Sequence, residues 1–128
     1  MRLLKITCFL MLCGCETALL GEWNGTCIFA DANQESLVEV TNTVERDNGY
    51  LLEGTMELYT WEDDSFSGDM IGDHNGKYVM FRGSFDTESG PYQFRIETER
   101  VGQTLEGDCI VQAPDSVGAL VGSIGLER

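Results

Sequence analysis

The sequence predicts an all-β fold: about eight antiparallel strands closing into an up-and-down β-barrel, preceded by a signal peptide. Three observations predict it. Apolar and polar residues alternate at every second position through most of the chain after residue 20, the period of a strand with one buried face. Turn signals such as Asn48-Gly49 and Asn75-Gly76 punctuate these runs at short intervals. Glycine is abundant (15 residues) and proline scarce (2 residues). Glycines fall repeatedly on the apolar side of the alternation, at 25, 54, 68, 72, 83, 107 and 122, where a missing side chain relieves crowding and lets a strand bend.

The first strand is Gly21 to Phe29, with Trp23, Gly25, Cys27 and Phe29 on its apolar face. Ser36 to Glu45 follows, placing Val38, Val40, Asn42 and Val44 inward, and Asp47-Asn48-Gly49 turns the chain. The third strand, Tyr50 to Thr60, points Leu52, Gly54, Met56 and Leu58 in. After Glu62-Asp63-Asp64-Ser65, a fourth carries Phe66, Gly68, Met70 and Gly72, and His74-Asn75-Gly76 makes the next turn. Val79, Phe81, Gly83 and Phe85 line the fifth strand, and Tyr92, Phe94, Ile96 and Thr98 the sixth. Leu105, Gly107, Cys109 and Val111 line the seventh, and Leu120, Gly122, Ile124 and Leu126 the last. Eight strands with short loops suit a closed barrel, which leaves no exposed edge. The same strands also fit a two-layer sandwich.

A chain of 128 residues accommodates one domain. Its first segment is different in kind. Arg2 and Lys5 give a basic start, and Ile6 to Leu12 an apolar run too short to span a bilayer. Leu12-Cys13-Gly14-Cys15 resembles the lipobox of bacterial lipoproteins. That resemblance implies a signal peptide over 1–14, acylation of Cys15, a lipidated tether over 15–21 and a barrel domain over 22–128. Several acyl chains together give stable anchoring, where one is marginal. Glu16, in place of the Asp that favours inner-membrane retention, points to the outer membrane of a Gram-negative envelope, with the barrel facing the periplasm.

Gly21-x-Trp23-x-Gly25, Leu52-Glu53-Gly54 and Leu105-Glu106-Gly107-Asp108-Cys109, with a last strand ending at Arg128, resemble the lipocalin-like β-barrel lipoproteins of bacteria over about residues 21–128. The resemblance implies that a late Arg, here Arg128, packs over Trp23. It is silent on the ligand.

Removing Arg2 and Lys5 with the leader takes the formal charge from -14 to about -16. Such a surface repels nucleic acid and anionic lipid headgroups. Cys27 and Cys109 both point inward, and an oxidising compartment favours their pairing, although in a simple barrel the last strand lies between them. The alternative is two buried thiols. His74, the single histidine, reads as a solvated turn residue, so neither a catalytic set nor a histidine-based zinc site is expected. Glu62, Asp63, Asp64, Asp69 and Asp73 match no calcium loop and read as a solvated acidic face.

No charged residue lies on the inward list, so the sequence predicts a non-catalytic binding or structural barrel without cofactor or metal. Trp23, Phe29, Met56, Phe66, Phe81 and Phe94 either fill the lumen or line a site for a small apolar ligand. The other partner class is an envelope protein, as for the bacterial protease-inhibitor barrels. Outward apolar residues Ile28, Ile110, Ala119 and Val121 form one candidate contact group, and Ile71, Tyr78 and Met80 another.

Overall fold

The computed structural model describes residues 19–30, 35–60, 64–114 and 118–128. It contains eight strands: β1 (Gly21–Ala30), β2 (Glu35–Asp47), β3 (Leu51–Thr60), β4 (Ser65–His74), β5 (Tyr78–Thr87), β6 (Gly90–Val101), β7 (Thr104–Gln112) and β8 (Leu120–Glu127). Each pairs antiparallel with the next, and β1 pairs with β8 through Asn24–Glu127, Gly25–Leu126 and Ile28–Ser123. The sheet is therefore a closed up-and-down barrel in the predicted order, not a sandwich. The leader and the carboxylates Glu62 and Asp63 lie outside the described residues.

Alternation along each strand builds the interior. Trp23, Cys27, Val40, Leu52, Met56, Met70, Phe81, Ile96, Leu105 and Leu126 all turn inward and are at most 2% exposed. Four of the inward glycines stand where strands press together most closely. A Cβ at Gly25, Gly54, Gly72 or Gly107 would collide with the backbone carbonyl oxygen of Gly125, Thr43, Met80 or Glu97, respectively. These sites are where the wall turns its corners, and no side chain fits there.

The three hairpins β2–β3, β4–β5 and β6–β7 lie at one end of the barrel, with the start of β1 and the end of β8; we call this end the base. The other end is the mouth. Gly49 and Gly76 adopt φ of +93° and +95° at the two Asn-Gly turns, which glycine tolerates without steric cost. Asn48 Oδ1 accepts from the backbone N–H of Tyr50 and Leu51, and Asn75 Oδ1 from that of Tyr78.

Two placements differ from the sequence reading. Leu120 is not inward but 66% exposed, because it opens β8 at the rim, where no strand faces it across the lumen. Leu19 and Leu20, assigned by sequence to the tether, belong to the folded unit: Leu19 is fully buried and Leu20 packs on the core.

Candidate functional site

The lumen divides into a sealed base and a more accessible mouth. At the base, Trp23 lies across the barrel floor. Its indole Nε1 donates to the Leu19 carbonyl at 3.0 Å, which draws the incoming chain under the ring. Arg128 covers the other side, with Cζ 4.6 Å from the Trp23 ring centroid and Nη1 donating to the Leu20 carbonyl at 3.0 Å. A guanidinium over an indole face is favourable by about 0.5–2 kcal/mol. This is the contact the Gly-x-Trp resemblance implies.

A second closure at the base comes from His74 and Asp47. His74 is not the solvated turn residue the sequence suggested. Its side chain is 5% exposed and that of Asp47 fully buried, with Nε2 and Oδ1 2.8 Å apart. Asp47 Oδ1 also accepts from the backbone N–H of Gly49. His74 lies at the inward parity of β4, two residues beyond Gly72. Asp47 turns inward because the β2–β3 register shifts between Val44 and Arg46, and a bulge of this kind reverses which face the following residues take. The pair pins the β2–β3 turn onto the end of β4.

Cys27 and Cys109 form a disulfide, with Cα atoms 6.2 Å apart. The strand between them is no obstacle, because Gly122 of β8 pairs opposite Cys109 and carries no side chain. A Cβ there would approach the Ile28 carbonyl and the Phe29 ring within 3 Å. The bridge passes over this bare stretch and ties β1 to β7.

The candidate lining residues separate by depth. Trp23, Met56, Phe81 and Phe94 are buried and pack against one another as core. Phe29 and Phe66 are half-buried at the mouth, where Tyr92 and Val111 join them. The lumen is thus filled below and lined with partly accessible apolar rings above.

Besides the His74–Asp47 pair, two polar side chains among the described residues interrupt the buried lining. Thr98 donates from Oγ1 to the Val79 carbonyl at 2.8 Å. Asn42 has no such partner: it is fully buried, and neither Oδ1 nor Nδ2 makes a hydrogen bond. It stands on β2 opposite Trp23 on one side and Met56 on the other. A buried amide left unpaired costs about 1–3 kcal/mol. We therefore expect Asn42→Leu, which keeps the branching and removes both polar atoms, to stabilise the protein by roughly 1–2 kcal/mol in urea unfolding.

The outer wall is charged. Exposed Arg46–Glu53 and Arg95–Glu97 pairs lie on it, at 2.6 and 2.8 Å. Such a wall does not suit a barrel embedded in hydrocarbon, whose lipid face is an apolar band. One strip is less polar: Leu37 pairs directly with Ile28, and Val121 with Ile110, across adjoining strands β2, β1, β8 and β7. Among the described residues no three His, Cys, Asp or Glu side chains converge to hold a metal ion.

No protein-family model and no curated protein matches the chain. A solved structure, that of EF1p2_mFAP2b bound to DFHBI, is similar with a TM-score of 0.70. The match covers 88% of this chain and 94% of that one at 8% sequence identity. At that identity the similarity is one of fold.

Proposed function

We propose that the protein is a lipid-anchored envelope barrel that binds a small apolar or aromatic molecule at its mouth and performs no catalysis. The observation that carries the binding role is the division of the lumen. Phe29, Phe66, Tyr92 and Val111 stay partly accessible above a floor sealed by Trp23, Arg128 and the disulfide. Ligand sites in small barrels are mostly apolar, as is this rim. The similar barrel of EF1p2_mFAP2b, bound to DFHBI, supports the reading at the level of fold. The anchor rests on Leu12-Cys13-Gly14-Cys15, with Cys15 as the acylated residue.

Binding is tested by titrating the purified protein with neutral N-phenyl-1-naphthylamine and with DFHBI. A saturable rise in fluorescence is expected, weakened about tenfold by Phe66→Ser, which removes apolar area from the rim. A folded protein giving no saturable signal with either probe overturns the binding role. The anchor is tested by the intact mass of protein recovered from membranes: acyl chains on the wild type and none on Cys15→Ser.

The Leu37–Ile28–Val121–Ile110 strip favours a second reading, in which the outer wall docks an envelope protein. A photocross-linker at Val121 that captures one defined partner, while Phe66→Ser leaves capture intact, would favour that reading.

A further inference from the structure

We infer that the mouth half of the β4–β5 seam is a lateral gate into the lumen, with the Phe85 ring as its bolt, and that the apolar end of a ligand passes there from the rim to the space over Met56. The inference rests on the reading that the mouth binds a small apolar molecule, and adds the route and the depth. Three observations converge on this seam.

First, the ladder between β4 and β5 covers only the base half of each strand. It runs from His74–Val79 to Met70–Gly83 and stops. On the other side of β4 the ladder with β3 continues to Tyr59–Ser65, and on the other side of β5 the ladder with β6 continues to Thr87–Gly90. Residues 65–69 and 84–87 are therefore held by their outer neighbours and not by each other. They keep their register while drifting apart. A Cβ at Gly72, in the paired half, would overlap the Met80 carbonyl oxygen, whereas one at Gly68 would stand 3.0 Å from the Ser84 carbonyl oxygen. Backbone outside a ladder is where a sheet opens most readily.

Second, no side chain fastens this half from outside. Arg82 and Asp73 reach across the paired half at 4.0 Å. Among the described residues no ion pair or disulfide crosses the unpaired half, whose exposed lips carry Asp69 and Asp86 and no cation. Ser84 Oγ accepts from Gln93 Nε2 at 3.1 Å, on the side away from the seam. The other short ladder, β1–β8, is spanned by the Cys27–Cys109 bridge.

Third, one side chain closes the seam from within. Gly68 and Gly83 leave the lining bare on both strands, and the Phe85 ring fills the space. One edge of the ring lies 3.5 Å from the Cβ position of Gly68, and the other 3.2 Å from that of Gly83. Met56 Sδ makes the floor, 3.0 Å from the same Cβ position of Gly83. Phe85 is buried, while Tyr92, its partner on β6, and Phe66 at the rim are half-buried. With glycine at both flanking positions, no Cβ there bars the ring from swinging toward the rim. The space it vacates has the size of a phenyl group and is floored by a thioether, which adapts its shape readily. A ligand with a flat or slender apolar end fits it.

The test is kinetic. Continuing the β4–β5 register sets Ser67 opposite Asp86. Ser67→Cys with Asp86→Cys, oxidised, latches the seam from outside. Gln93→Cys with Gln112→Cys latches the fully laddered β6–β7 seam in the same way. Stopped-flow fluorescence follows the binding of N-phenyl-1-naphthylamine. The expected result is association about tenfold slower with the first latch, unchanged with the second, and about threefold faster in Phe85→Ala. Hydrogen exchange of the wild type needs no variant: the seam-facing amides of 65–69 and 84–87 should exchange about tenfold faster than those of 70–74 and 79–83. An unchanged rate with the first latch, equal slowing by both, or equal exchange in the two halves overturns the gate and leaves rim binding in place. A folded wild type that binds no probe overturns the rim site, and the gate with it.

Discussion

Gly54→Ala and Gly107→Ala are each expected to cost about 3 kcal/mol or more and to leave little folded protein at 37 °C. The added methyl at residue 54 would enter the Thr43 carbonyl oxygen, and that at 107 the Glu97 carbonyl oxygen. These obstacles are backbone atoms of the adjoining strand, so relief requires the two strands to part. Overpacking a rigid site costs about 1–3 kcal/mol even where side chains can yield, and here they are not the obstacle. A whole domain holds only about 5–15 kcal/mol in reserve. Gly125→Ala supplies the control. No atom lies within 4 Å of its added Cβ, and restricting the unfolded chain makes Gly→Ala neutral or stabilising by up to about 1 kcal/mol where the backbone permits it. Urea midpoints of the three variants check the ordering; a stable Gly54→Ala protein with an unchanged midpoint would contradict the close approach.

Removing the disulfide is expected to have the other large effect. Cys27 and Cys109 close a loop with a sequence separation of 82 residues. The chain-entropy model assigns about 4.5 kcal/mol to such a loop. The double variant Cys27→Ala, Cys109→Ala should lower Tm by on the order of 15 °C, and reductant should lower the wild type by a similar amount without affecting the variant. Equal sensitivity of both proteins to reductant would mean that the loss arises elsewhere. In the proposed binding role the bridge would matter as well, since it holds β1 to β7 next to Phe29 and Val111 at the mouth.

The fold was largely legible because a strand has a two-residue period and a closed barrel uses only one of its faces. Val38 to Val44, Leu52 to Leu58 and Val79 to Phe85 announce their buried faces in this way, and Asn-Gly pairs mark where the chain reverses. The same rule failed at strand ends. Leu120 keeps the inward parity of β8 but sits at the rim, where alternation no longer implies burial. His74 has the parity of Gly72 and Met70, and extending β4 by two residues would have found it. An emphasis on apolar residues hid it, as did its place beside a turn signal. Asp47 could not have been found this way, because the register shift after Val44 leaves no mark in the hydrophobic pattern. Arg128 over Trp23 came from resemblance, since nothing in the spacing of two residues so far apart brings them together. The division of the lumen into a filled floor and an accessible rim was also beyond reach. Phe29 and Phe81 have the same parity and chemistry, and only the lengths and offsets of their neighbours decide which one is covered.

The seam between β1 and β8 bears on how the molecule comes to be. It joins Gly25 to Leu126, and Arg128 then reaches back to Trp23, so the contacts that shut the cylinder are among the most distant in sequence. Topologies rich in distant pairings fold slowly. A nascent chain lacking its final strand would present two unpaired edges, ready to pair with a neighbour. The eighth strand must therefore emerge before the cylinder can shut, and until then the open edges need shielding from other copies of the chain.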